Sequence, residues 1–192
     1  MSSEGLRLGL LGELTATHEG APVDLGGRRQ KAVLARLLVA RGALVPADTI
    51  ADAVWGDDLP GNVAGALQSY VSHLRKRLQP GAGARARDGV IVSSGPGYAL
   101  TLPTEAVDAW EFEVLVKTAG GDVAGLQRAL DLWRGPALLE HADEPWAQAE
   151  AARLGELREV CREALLDARL RAGESSVLVP DLESLLKAEP LR

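Results

Sequence analysis

Between Asn62 and Arg87 the chain reads NVAGALQSYVSHLRKRLQPGAGARAR, with five arginines or lysines and no acidic residue, although the net charge of the 192-residue protein is −6. Cations gathered on one segment of an acidic chain point to a negatively charged partner. At about 100° per residue Leu67, Val71, Leu74 and Leu78 fall in one narrow stripe, which predicts an amphipathic helix with that stripe in a core. Opposite the stripe lie Asn62, Gly65, Ser69, Ser72, His73 and Lys76, while Arg75 and Arg77 project to the two flanks. Small or polar groups in front with cations beside them suit a helix in the major groove, where short side chains reach base edges and basic ones meet phosphate. On an isolated helix the same pattern would be only a solvated basic face, so the neighbouring segments decide.

After the helix comes GVIVSSGPGYALTL, two β-branched runs joined at Ser94, Gly95, Pro96 and Gly97. This is a hairpin signal: Gly95 and Gly97 can take positive φ, Pro96 fixes its own φ, and Tyr98 restarts the strand with a ring for packing. Upstream, LGGRRQKAVLARLLVARG places Val33, Leu34, Leu37 and Leu38 on one helical face and stops at Gly42. PADTIADAVWG makes a short second helix with Ile50, Val54 and Trp55 inward and Gly56 at its end. Before these, RLGLLGEL and PVDL are predicted as strands separated by a polar turn at Thr17 to Gly20. Helices followed at once by a hairpin form a winged helix-turn-helix pattern.

Together LGLLGEL, DLGGRRQKAVLARLL, AVWGDDLP, LQSYVSHLRKRL and SSGPGYAL resemble the DNA-binding domain of the Streptomyces antibiotic regulatory protein family, which is of the OmpR type. VDAWEFEVLV, ALDLWRGPAL and DEPWAQAEAARLGELR are similar to the bacterial transcriptional activation domain that follows it in that family. The resemblance implies an α+β OmpR-type winged helix over residues 1–103 and an all-α, tetratricopeptide-like helical domain over 104–192. It implies a transcription activator that binds direct repeats in double-stranded DNA beside a second copy of itself, recruits RNA polymerase, serves antibiotic biosynthesis and needs no cofactor. Ser69, Ser72 and His73 would then face bases, and Arg75, Lys76 and Arg77 would hold phosphates or the groove edge.

In the resembled family the wing reaches the minor groove, often through an Arg just before the turn. That position is Ser94 here; Ser94 and Tyr98 stay candidate DNA contacts of the wing, with Arg85 and Arg87 in the preceding loop as substitutes for the missing Arg. Trp55 matches a position whose indole N–H contacts a phosphate in OmpR-type domains; packing in the core is the equal alternative. The GDDLPG loop resembles the polymerase-facing loop of such activators, with Asp57 and Asp58 offering charge.

Residues 1–103 hold 11 Lys or Arg against 9 Asp or Glu, and residues 104–192 hold 10 against 18, balances of +2 and −8. The first half can present a positive surface while the second repels DNA, which favours one docking orientation. No apolar run approaches the roughly 20 residues that span a bilayer, and MSSEGLRLGL lacks a signal-peptide pattern, so a soluble cytoplasmic protein is expected. Pro103 and Thr104 mark the boundary. Helices are predicted from Asp108 with Trp110, Phe112, Leu115 and Val116 inward, then over Asp122–Trp133, Glu144–Ala172 and Ser176–Ala188, broken at Gly120-Gly121, Gly135-Pro136 and Gly173. Trp110, Leu126, Leu130 and Trp146 are expected to close that domain's own core. Further helices normally follow such a segment in the family, so the chain either stops within its second domain or is a compact member.

Other chemistry finds little support. SSGPG lacks both the P-loop spacing and a following helix, and His18, His73 and His141 lie far apart without ligand-like neighbours. The single Cys161 shares a helix face with Leu154, Leu157 and Leu165 and is predicted to pack. Glu140, Asp143 and Glu144 read as a solvated helix start, and Trp133 and Trp146 as core residues. No catalytic constellation emerges. A reading of another class is an adaptor whose helical domain binds proteins and whose winged helix is a docking surface.

Overall fold

The computed structural model describes residues 5–79 and 89–173. Leu6 and Leu8 alternate with Arg7 in strand β1 (Leu6–Gly9), so the leucines face the core and the arginine faces water. β1 pairs antiparallel with β2 (Thr15–His18), and β2 with the two-residue β3 (Ala21–Pro22). The expected strands are therefore shorter. RLGLLGEL leaves the sheet after Gly9, and Thr17 and His18 belong to β2, with the turn confined to Glu19 and Gly20 at positive φ.

Helix α1 (Arg28–Val39) is buried well beyond one stripe, with Val33, Leu34, Ala35, Leu37 and Leu38 all inaccessible. A helix apolar over most of its circumference sits inside a fold, and α1 packs against α2 (Ala47–Trp55), α3 (Val63–Leu78) and the long α6 (Pro145–Arg171). Between α1 and α2 runs β4 (Val45–Pro46), unforeseen because two residues carry no periodicity. It joins β6 (Gly97–Leu100), which pairs with β5 (Ile91–Ser94), in the order β4-β6-β5.

Beyond a short 3₁₀ turn at Thr104–Ala106, α4 (Asp108–Thr118) and α5 (Val123–Asp131) pack together, and α5 lies against α6. Asp122 caps α5 by accepting the Ala124 and Gly125 amides. The expected helix over Ser176–Ala188 lies outside the described residues.

The two halves do not keep separate cores: one buried cluster runs from Leu6 to Ala168. Trp110 and Trp146, expected to close the helical half, instead donate their indole N–H groups across the boundary, to Leu38 O and Ala53 O, each at 3.2 Å. Asp108 accepts the Leu10 and Leu11 amides at 2.7 and 3.1 Å and pairs with Arg134 at 3.0 Å. Glu140 is not a free solvated carboxylate either: it accepts the Leu14 amide at 3.0 Å and is ion-paired with Lys31. Glu144 pairs with Arg28 at 3.2 Å. Short segments without secondary structure leave amides such as Leu10, Leu11 and Leu14 unmet, and the second half supplies the acceptors.

Candidate nucleic-acid interface

α3 carries the predicted apolar stripe: Leu67, Val71, Leu74 and Leu78 are its buried residues. The opposite side is open. Ser69, Lys76 and Arg77 are exposed, and Ser72 and Gly65 are half-buried. Gln68, which periodicity places only at the flank, is also exposed and brings a long amide to this surface.

Several predicted residues have work inside the protein. Asn62 is the N-cap of α3, its Oδ1 accepting the Gly65 amide at 2.9 Å. His73 is half-buried, and its Nε2 is closed off from solvent without a hydrogen-bond partner among the described residues, so only Nδ1 is left to act outward. Trp55 is 6% exposed and stacks on Tyr70 with ring centroids 5.7 Å apart. Among the described residues its indole N–H meets no acceptor, and it is not among the polar atoms closed off from water, so packing the ring leaves the donor accessible.

The three consecutive cations differ. Among the described residues Lys76 has no ion pair, and Arg77 lies 3.5 Å from Asp24 at the surface, a pairing of little energetic weight. Arg75 turns to the hairpin, donating from Nε to Ile91 O at 2.8 Å and from Nη2 to Ser93 Oγ at 2.9 Å.

At the hairpin tip Ser94 pairs with Gly97 around a two-residue turn, and Ser93 through Pro96 are exposed. Only Gly95 takes positive φ, at 51°. Gly97 is needed for another reason: a Cβ there would stand 2.2 Å from Val45 O, inside the β4–β6 contact. Tyr98 is half-buried against the core. Arg85 and Arg87 lie outside the described residues. In the loop between α2 and α3, Asp57 and Asp58 are exposed, and Asp58 pairs with Arg29 at 2.9 Å. No group of three or more potential metal-ligating side chains occurs among the described residues.

Residues 20–100 match the model of the C-terminal domain of transcriptional regulatory proteins, and residues 107–192 match the bacterial transcriptional activator domain. The regulatory protein DnrI of Streptomyces peucetius is 30% identical over 97% of this chain and 73% of its own length. The chain belongs to the Streptomyces antibiotic regulatory protein family. Other members are similar over nearly the whole chain at 36% identity: AfsR of Streptomyces coelicolor and the transcriptional regulatory protein EmbR of Mycobacterium tuberculosis. The chain spans only 19% of AfsR and 50% of EmbR. A solved structure of EmbR in complex with a low affinity phosphopeptide superposes with a TM-score of 0.87 at 33% identity, covering 98% of this chain and 52% of that one. The fold is thus a family winged helix followed by the helical activation domain. These relatives are transcriptional regulators, and both matched domain families belong to such regulators.

Proposed function

We propose that the chain is a sequence-specific DNA-binding activator that docks α3 in the major groove, works in the cytoplasm and controls antibiotic or other secondary-metabolite genes. The observation that carries this is the side of α3 opposite the core, where Gln68, Ser69, Lys76 and Arg77 are exposed around a half-buried Ser72, beside an exposed hairpin tip. Gln68, Ser69, Ser72 and the outer nitrogen of His73 face bases, Lys76 and Arg77 meet phosphates, and the Trp55 N–H reaches another phosphate. Ser94 and the tip lie against the adjacent minor groove. Asp57 and Asp58 offer a negative surface to RNA polymerase. Two copies sit head to tail on direct repeats.

Selection of protected fragments from genomic DNA, followed by anisotropy titrations at several salt concentrations, tests the reading. Expected are repeats about one helical turn apart and a steep negative log-log salt slope. Inserting about half a turn, 5 base pairs, should abolish paired binding by moving the second copy to the opposite face. Weak, sequence-blind binding with a shallow slope would leave the winged helix as a docking surface only.

A further inference from the structure

We propose that Arg75 is a positioning residue that sets the wing on the recognition helix, and that its charge serves this latch rather than DNA neutralisation. The inference deepens the DNA-binding reading but rests on contacts within the protein.

β5 is the edge strand of the β4-β6-β5 sheet, so its outward backbone groups face no neighbouring strand among the described residues. Val90 O is taken on the inner side by the Thr101 amide at 2.9 Å. Ile91 lies one residue on, and its carbonyl points outward in an antiparallel ladder. The Arg75 Nε meets that carbonyl, and Nη2 of the same planar group meets the Ser93 hydroxyl two residues further along the same edge. Both are charge-assisted bonds from one rigid fork.

A second tie lies one turn along: Gln79 Oε1 accepts the Val90 amide at 2.8 Å. The last turn of α3 is therefore fastened to β5 at successive levels, with the buried Ile91 beneath. Lys76 and Arg77 have no such engagement with the hairpin. Of the Arg75 side-chain nitrogens only Nη1 has no partner among the described residues, and the side chain is half-buried where those of Lys76 and Arg77 are exposed. An angle fixed this way decides which base pairs beside the major-groove site the tip can reach while α3 is seated.

Lysine separates the two roles, because it keeps the charge and loses the fork. Hydrogen exchange of the hairpin, residues 89–102, is compared without DNA in the full chain and in Arg75→Lys, Arg75→Ala and Ser93→Ala. The latch requires both Arg75 variants to exchange on the order of tenfold faster there, with Ser93→Ala in between, while α1 stays protected. Unchanged exchange in Arg75→Lys overturns it. On selected DNA, both Arg75 variants should lose discrimination at wing-side base pairs and keep it at positions read by α3. If Arg75→Lys instead binds as the parent does, while Arg75→Ala weakens uniformly with a slope shallower by about 0.9, the residue is a phosphate contact only. Failure of the parent to bind any selected fragment would count against the DNA-binding reading, and the exchange comparison would still decide the latch.

Discussion

Asn62 belongs by periodicity to the base-facing side of α3, yet its side chain closes the helix end. Serine caps equally well and alanine does not, so Asn62→Ala should lower unfolding free energy in urea titration by about 1 kcal/mol while Asn62→Ser stays near the parent. A changed base preference in Asn62→Ser at unchanged stability would show a DNA contact in addition. His141 is 1% exposed, neither ring nitrogen has a partner among the described residues, and the ring leans on Trp146 at 5.3 Å. Burial is the largest influence and pushes its pKa down; Glu140 and Glu144 pull it up, and Arg28 and Lys31 add to the depression. The unfolded chain then takes up a proton that the folded ring refuses, so stability falls as pH drops through about 6.5. His141→Phe, which fills the same space without a titrating group, should remove that decline in chemical denaturation between roughly pH 7 and 5. The Glu150 carboxyl cannot mimic it: burial would raise it, but hydrogen bonds from Arg153 and Arg41 outweigh that and hold it below its usual range, well under this window.

The wing depends on a close approach that its own two strands do not reveal. β4 reaches β6 only because Gly97 has no side chain, with a Cβ position 2.2 Å from Val45 O and 2.8 Å from Val45 C. Backbone atoms on both sides cannot yield, so Gly97→Ala should cost about 1 to 3 kcal/mol and raise exchange at Val45 and Tyr98. At Gly95 the space is open and the obstacle is its φ of +51°, so Gly95→Ala should cost about 1 kcal/mol of local strain and leave the β4–β6 contact intact. Equal exchange at Val45 in both variants would refute this division.

The winged helix and the activation domain share one buried cluster and exchange hydrogen bonds at Leu10, Leu11, Leu14, Leu38 and Ala53. Arg41 reaches across the same boundary to Glu113 and Glu150, which Arg153 also pairs with from within the second half. Far-UV circular dichroism and tryptophan fluorescence should therefore report one coincident unfolding transition, because neither half can release the other without exposing core. A fragment of residues 1–103 would lose the acceptors for three buried amides and should unfold at markedly lower urea concentration than the full chain. Two separated transitions, or a fragment as stable as the parent, would show independent domains.

Local periodicity and turn chemistry by themselves determined helix α3 and its stripe, the hairpin around Gly95 and Pro96, α1, α2, and the helices from Asp108, Asp122 and Glu144. Each of these is written in spacings of a few residues. Partner choice across the chain is not. No spacing told that Arg75 would serve the wing, that Trp110 and Trp146 would bond to the other half, or that Glu140 would accept an amide 126 residues away. Such a choice depends on which unmet backbone groups and unpaired charges folding brings within about 3 Å, and only the tertiary structure decides that.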